Sequence, residues 1–215
     1  MIRILITDDH AIVRMGLTQL LSGQSDFVVA GEAANGLEAL KQIREQAFDV
    51  VLMDMSMPGR SGIELIKMVK AEKPKLAILV LSMHKEEQYA VRALKAGALG
   101  YLTKEGAPDQ LVAAIRKVVG GGVYISTGVA ERLALELGGN HHESPHTQLS
   151  DREYQIFRMI VTGTPIGGIA EELSLSVKTV STHKTRILQK MNMSSGAELI
   201  HYAIRHQLVD MPGDS

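Results

Sequence analysis

Apolar residues in the first 120 positions follow two alternating rhythms. Short apolar runs at Ile2 to Ile6, Phe27 to Gly31, Val50 to Met53, Ala77 to Leu81 and Gly100 to Thr103 are separated by longer stretches. In those stretches apolar residues return every three or four positions. A brief continuous run predicts a strand buried on both faces, whereas the longer period predicts a helix with one core-facing stripe. The first helix is predicted after His10, with Val13, Leu17, Leu20 and Leu21 inward. Others are predicted from Leu37 to Arg44 after an Asn35-Gly36 turn, from about Gly62 to Glu72, and from Glu86 to Ala96 with Gly97 as its stop. Pro108 opens a fifth helix that turns Leu111, Ala114, Ile115 and Val118 inward. Five strands alternating with five helices imply an α/β doubly wound fold with a five-stranded parallel sheet.

The rhythm changes after Gly120-Gly121-Gly122, which places a first domain at 1–122, a linker at 123–148 and a second domain at 149–209. Within the linker, Val123 to Ser126 finish the first domain and Gly128 to Leu137 form a short helix. The stretch GGNHHESPHTQ is polar and rich in turn formers, so His141, His142 and His146 are expected to be solvated. Ser150 and Glu153 then form a capping box ahead of a helix carrying Ile156, Phe157, Ile160 and Val161. A short helix around Ile169 to Leu173, a tight turn, and a helix from Val177 to Met191 follow. Ser195 and Glu198 cap a last helix that runs to about Gln207. The second domain is therefore expected to be a small all-α, four-helix module.

Chemistry collects at the strand ends. Strand one ends in Asp8-Asp9, strand three in Asp54, strand four in Ser82 and strand five in Lys104. A parallel sheet brings all of these to one edge, where open α/β sheets place their sites. The carboxylates of Asp9 and Asp54, with Asp8 acting through water, form a hard-oxygen set suited to Mg²⁺ (or Mn²⁺). Asp54 is the expected phosphoryl acceptor, Lys104 a neutralising cation, and Ser82 a hydrogen-bonding partner for phosphate oxygens. His10 is read as a packing residue. A phosphatase built on Asp54 would need a second acid two residues later, where the chain has Ser56.

The helix from Val177 sorts its residues by angle. Val177, Val180, Ile187, Leu188 and Met191 fall inward, while Lys178, Ser181, Thr182, Thr185, Arg186 and Gln189 fall outward or on the flanks. It carries Lys178, Lys184, Arg186 and Lys190 without one acid, on a chain whose net charge is only −1. Such a basic stripe with small hydroxyls suits phosphates and base edges of double-stranded DNA, so any nucleic-acid footprint is local. The chain has no cysteine, which excludes disulfides and thiolate metal sites. The opening MIRILITDD is too short and too soon acidic for a signal peptide, and a cytoplasmic protein without a membrane partner is expected.

Asp8-Asp9, Asp54 with Met57-Pro58-Gly59, Ser82, Tyr101 and Lys104 together resemble the receiver domain of bacterial two-component response regulators. That resemblance implies a flavodoxin-like sheet, a sensor histidine kinase as phosphodonor, and a metal set of Asp8, Asp9, Asp54 and Ser56. It also implies a switch formed by Ser82, Tyr101 and Lys104. Leu149 to Glu153 and Val177 to His183 look like the LuxR-type helix-turn-helix domain, and that order marks the NarL/FixJ subfamily. Carried over by position, Ser181, Thr182 and Thr185 face bases, and Lys178, Thr179, Lys184 and Arg186 hold phosphates. Glu198, Leu199, Ile200, Ala203 and Ile204 are implied at a dimer contact, with RNA polymerase as a further partner. The implied protein is a transcriptional regulator that dimerises and binds promoter DNA when phosphorylated. The alternatives are an aspartate-nucleophile phosphatase, or a receiver with a helical protein-interaction module.

Two departures from the family pattern matter. Ile166-Gly167-Gly168 stands where the family usually has Asn-Lys-Glu, so the short helix is expected to start late and to lack a phosphate-contacting lysine. Gly196 stands where arginine is usual, which removes a salt bridge or DNA contact.

Overall fold

The structure, a computed structural model, describes residues 1–55, 57, 62–82, 87–104, 108–137, 144–206 and 208–209. The chain parts into two compact units, Met1–Gly138 and Gly139–Ser215.

In the first unit β1 (Ile2–Thr7), β2 (Phe27–Ala33), β3 (Val50–Asp54), β4 (Ala77–Ser82) and β5 (Gly100–Thr103) form one parallel sheet in the order β2-β1-β3-β4-β5. Successive side chains on a strand point to opposite faces, so each apolar run feeds two cores. Ile4, Ile6, Val50, Leu52, Leu79 and Leu81 pack beneath α1 (Ala11–Ser22) and α5 (Pro108–Val119), through Leu21, Leu111, Ala114, Ile115 and Val118. Leu5, Val51, Met53, Ile78 and Val80 form the other face. They pack against α2 (Gly36–Glu45), α3 (Gly62–Glu72) and α4 (Glu87–Lys95). Asn35 serves as more than a turn: its side chain accepts from the Glu38 amide and caps α2. Gly97 ends α4 as expected, at φ +111°, a backbone angle that side chains with a Cβ rarely adopt.

The boundary expected at 122 is wrong for the first unit. The Tyr101 amide donates to the Tyr124 carbonyl and the Tyr124 amide to the Leu99 carbonyl, so the chain runs on beside β5. Then α6 (Thr127–Leu137) lies on α4, burying Val129 with Ile125 and Leu133 against the same core. The front half of the expected linker is thus part of the sheet domain, held by apolar burial.

The described residues of the second unit form a 3-10 turn (Pro145–Gln148) and four α-helices: α7 (Asp151–Val161), α8 (Ile166–Glu172), α9 (Val177–Lys190) and α10 (Gly196–Arg205). The capping box of Ser150 and Glu153 is present on α7. At α10 Ser195 accepts from the Glu198 amide, but the Glu198 carboxylate reaches one residue further back, to the Ser194 amide and hydroxyl. Leu149, Tyr154, Ile156, Phe157, Ile169, Val180, Ile187, Leu199 and Ala203 are all buried. His146, expected to be solvated, is buried as well, and its Nδ1 lies 2.6 Å from the Tyr202 hydroxyl. His141 and His142 lie outside the described residues. No helix among the described residues is long and apolar enough to cross a membrane.

Candidate functional site

Strand ends of the first unit meet as the sheet topology requires. Asp54 closes β3 opposite Leu81 of β4, Ser82 is the next residue of β4, and Asp8 follows β1 directly. Asp8, Asp54 and Ser82 are all buried. Lys104, one residue past β5, is placed by its own amide, which donates to the Ser82 carbonyl at 2.7 Å. Its Nζ lies 2.6 Å from Asp8 Oδ2 and 3.0 Å from Asp54 Oδ2. Burial alone would lower the Lys104 pKa, but hydrogen bonding to Asp8 and the charge of Asp54 outweigh it and hold the ammonium above the ordinary lysine value. Tyr101, on β5, is buried in the α4-side core. Ser56, Pro58 and Gly59 lie outside the described residues.

Three carboxylates face one ammonium here, so the pocket carries excess negative charge. Asp8 is already engaged at both oxygens: Oδ1 accepts from the His10 amide at 2.8 Å and Oδ2 from Lys104. Oδ1 of Asp9 is buried and accepts no hydrogen bond among the described residues. An orphaned carboxylate oxygen beside a buried Asp54 fits a divalent cation held by Asp9 and Asp54, with Asp8 behind it. One donor atom each from Asp8, Asp9, His10 and Asp54 lies within 4.8 Å of the others. His10 is the residue that sequence reasoning misplaced: its side chain is 64% exposed and its Nδ1 faces the acids rather than a core.

In the second unit α9 is held by α7 and α8. Ser176 caps it, accepting from the Thr179 amide at 3.0 Å. Val180, Ile187 and Met191 are buried, and Leu188 is half-buried. Val177, expected inward, is 55% exposed. Side chains in a helix lean toward its amino terminus, so a first-turn residue leans past the packed stripe. Lys178, Ser181, Thr182, Thr185, Arg186 and Gln189 are exposed, and Thr179 and Lys184 are half-buried. The Thr182 and Thr185 hydroxyls donate back to the carbonyls of Lys178 and Ser181, at 2.9 and 3.1 Å. Each hydroxyl thus spends its proton on its own helix and is left as an acceptor. His183, half-buried on this helix, is pushed below the ordinary histidine value, first by burial and then by the charges of Arg152 and Arg186.

Lys190 does not belong to the outward stripe, because its Nζ lies 2.6 Å from buried Glu153 at the start of α7. Burial raises the Glu153 carboxyl, but bonds from Lys190 and Ser150 outweigh that and hold it below its ordinary value of 4.5. A depressed folded-state pKa contributes stability that is present above the unfolded value and lost as pH falls through the folded one. Glu153→Gln is therefore expected to flatten the acid limb of the second unit's melting curve below about pH 4.5. Circular dichroism melts of parent and variant from pH 7 to 3 check it.

The short helix corrects one expectation. It begins at Ile166, immediately after Pro165, and neither starts late nor loses its first turn. A Cβ built at Gly167 meets nothing within 4 Å. Gly167→Ala is expected to stabilise the second unit by up to about 1 kcal/mol, raising its melting temperature by up to about 4–8 °C. At Gly196 the Lys184 Nζ lies 3.7 Å from where a Cβ would stand, so a lysine from α9 occupies the neighbourhood of the missing arginine. Two of the residues expected at a dimer contact, Leu199 and Ala203, are core residues of their own module, because α10 turns that stripe inward. Ile200 and Ile204 remain exposed, at 38% and 39%.

Comparison with known proteins follows the same division. The response regulator receiver domain family matches residues 4–116, and the luxR family of bacterial regulatory proteins matches residues 147–203. Response regulator UvrY of Escherichia coli (strain K12) is 42% identical over 209 residues, which cover 97% of this chain and 96% of that one. Response regulator GacA of Pseudomonas aeruginosa is 40% identical over 211 residues, covering 98% and 99%. The structure of RcsB from Salmonella enterica serovar Typhimurium, bound to promoter rprA in the presence of phosphomimetic BeF3−, matches with a TM-score of 0.66 at 26% identity, covering 94% of this chain and 97% of that one. The chain belongs to the response regulators of the NarL/FixJ subfamily, joining a receiver domain to a LuxR-type helix-turn-helix domain as a phosphorylation-dependent, DNA-binding regulator of transcription.

Proposed function

We propose that this protein works in the cytoplasm, that Asp54 accepts a phosphoryl group from a sensor histidine kinase, and that its new charge sets how the second unit dimerises on promoter DNA. The observation that carries this reading is the buried Asp54 carboxylate, 3.0 Å from Lys104 and beside the orphaned oxygen of Asp9. An Asp54 oxygen attacks phosphorus, the P–N bond to the kinase histidine breaks with its electron pair returning to that nitrogen, and the imidazole, already protonated on its other ring nitrogen, leaves neutral. Lys104 stands where it pairs with charge on the transferred group, and Ser82 at the end of β4 is placed to donate to a phosphate oxygen. Mg²⁺ (or Mn²⁺) held by Asp9 and Asp54, with Asp8 through water and Ser56 completing the set, would supply further neutralisation. Phosphorylation adds roughly −1.5 to −2 charges beside Ser82 and Lys104, which biases the packing of Tyr101 on β5.

On DNA, Lys178, Thr179, Lys184 and Arg186 hold phosphates, while Ser181, Thr182 and Thr185 meet base edges in the major groove. Ile200 and Ile204, the exposed apolar residues of α10, supply the dimer contact together with Glu198. A solved structure holds two RcsB dimers bound to two DNAs, which supports a dimer on DNA. RNA polymerase is the expected partner at the promoter.

Incubation with a small phosphodonor and Mg²⁺, followed by peptide mapping, tests the acceptor; label on any residue other than Asp54 would refute it. Lys178→Ala is expected to weaken binding to all DNA sequences alike and to reduce the salt slope by about 1. Thr182→Ala is expected instead to relax preference at one base pair, worth about 1–3 kcal/mol. Competition binding on a panel of single-base operator variants separates the two.

A further inference from the structure

Arg14 on α1 takes no part in phosphoryl transfer, yet its side chain is only 17% exposed. Its Nη1 reaches back out of the helix and donates to the backbone carbonyl of Asp8 at 2.7 Å. Its Nε donates to Glu32 Oε2, on β2, at 3.3 Å. The other Glu32 oxygen accepts from the Thr18 hydroxyl, one turn further along α1, at 3.1 Å. The helix does not need these bonds for its own docking, because Leu17, Leu20 and Leu21 already pack it on the sheet. What they fix is the turn that carries the acids. The Asp8 carbonyl belongs to the planar peptide joining Asp8 to Asp9, so holding its oxygen sets how Asp9 leaves the chain. The Asp8 amide donates to the Ala33 carbonyl at 3.1 Å and the His10 amide to Asp8 Oδ1 at 2.8 Å, on either side of that peptide. Arg14 holds the peptide itself.

We propose that Arg14, braced by Glu32 and Thr18, is a positioning residue that aims the Asp9 carboxylate at the Mg²⁺ of the phosphoacceptor pocket. Mg²⁺ demands near-octahedral geometry with bonds of about 2.0–2.1 Å, so a ligand whose backbone swings binds it poorly. Groups that orient metal ligands without touching the metal are commonly worth about 10–100-fold in affinity. The Glu32 carboxylate balances the guanidinium charge, and Lys104 already supplies the pocket's cation. Arg14 therefore contributes direction rather than neutralisation. Its planar fork suits the task, because one group holds the Asp8 carbonyl and Glu32 at once. The inference rests on the reading of this pocket as a metal-assisted phosphoacceptor, and adds the residue that orients one of its ligands.

The test uses the full chain and Mg²⁺ alone, titrated by calorimetry into the parent, Arg14→Ala, Glu32→Ala and the double variant. Arg14→Ala is expected to raise the Mg²⁺ Kd at least about tenfold, and Glu32→Ala at least about threefold. The double variant should be no weaker than Arg14→Ala, because Glu32 acts only through Arg14. In labelling of Asp54 by a small phosphodonor, the half-saturating Mg²⁺ concentration should rise by the same factor. The rate at saturating Mg²⁺ should stay within about twofold of the parent's. Unchanged Mg²⁺ affinity in Arg14→Ala overturns the proposal, even where its metal-free melting temperature falls, since Arg14 would then be merely structural. A lower saturated rate also overturns it, by placing Arg14 in the chemistry itself. Additive losses in the double variant overturn the bracing by Glu32. Should Arg14→Ala not fold, unchanged affinity in Glu32→Ala, at an exposed position, overturns the proposal in its place. A parent that takes no label on Asp54 defeats the phosphoacceptor reading instead, and the calorimetry still decides on Arg14.

Discussion

An Asp54→Asn protein treated with a small phosphodonor and Mg²⁺ is expected to bind operator DNA no more tightly than the untreated parent. It should also show no gain in self-association. The substitution keeps the shape of the side chain and removes the nucleophile, so the covalent step stops outright. Lys104 retains its 2.6 Å bond to Asp8, which holds the rest of the pocket in place. The parent should gain about 5–150-fold in affinity on phosphorylation, the usual range for coupling between two sites. Fluorescence anisotropy on labelled operator DNA, with and without donor, measures the first effect, and sedimentation velocity the second. An equal gain in Asp54→Asn would place the switch on some other group.

Strands were the most legible part of the chain, because burial on both faces leaves an apolar run that needs no knowledge of its neighbours. Their parallel order then brought Asp8, Asp54, Ser82 and Lys104 together without side-chain detail. What stayed hidden depends on which element lies opposite. Val129 and Leu133 have helical spacing, yet nothing in residues 123–137 announces that α4 is their partner. The periodicity of α10 marks Leu199 and Ala203 as one apolar stripe, but it cannot tell the module's own core from the surface of a second copy. Lys190 reads as one more cation until Glu153 is found 2.6 Å away, from a helix 37 positions earlier. His10 failed for another reason: a residue beside two acids has several rotamers, and only the fold shows that Nδ1 turns to the acids.

Phe157→Ala is expected to disable the second unit without touching the first. Phe157 is fully buried on α7, its ring centroid 5.9 Å from that of Tyr154. Truncating a buried phenylalanine costs about 3–5 kcal/mol, because the transfer energy is lost and a cavity remains. A module of about 60 residues commonly holds about 3–9 kcal/mol in total, so the change removes much of its stability. DNA binding should therefore be lost at 37 °C, where the parent is folded. Labelling of Asp54 should continue at the parental rate, because the two cores that carry the phosphoacceptor pocket lie wholly within Met1–Gly138. Scanning calorimetry should show one transition displaced to lower temperature and the other unmoved. Loss of both activities together would mean that the two units fold as one cooperative body, and the charge on Asp54 would then act through global stability rather than through a switch between separately folded parts.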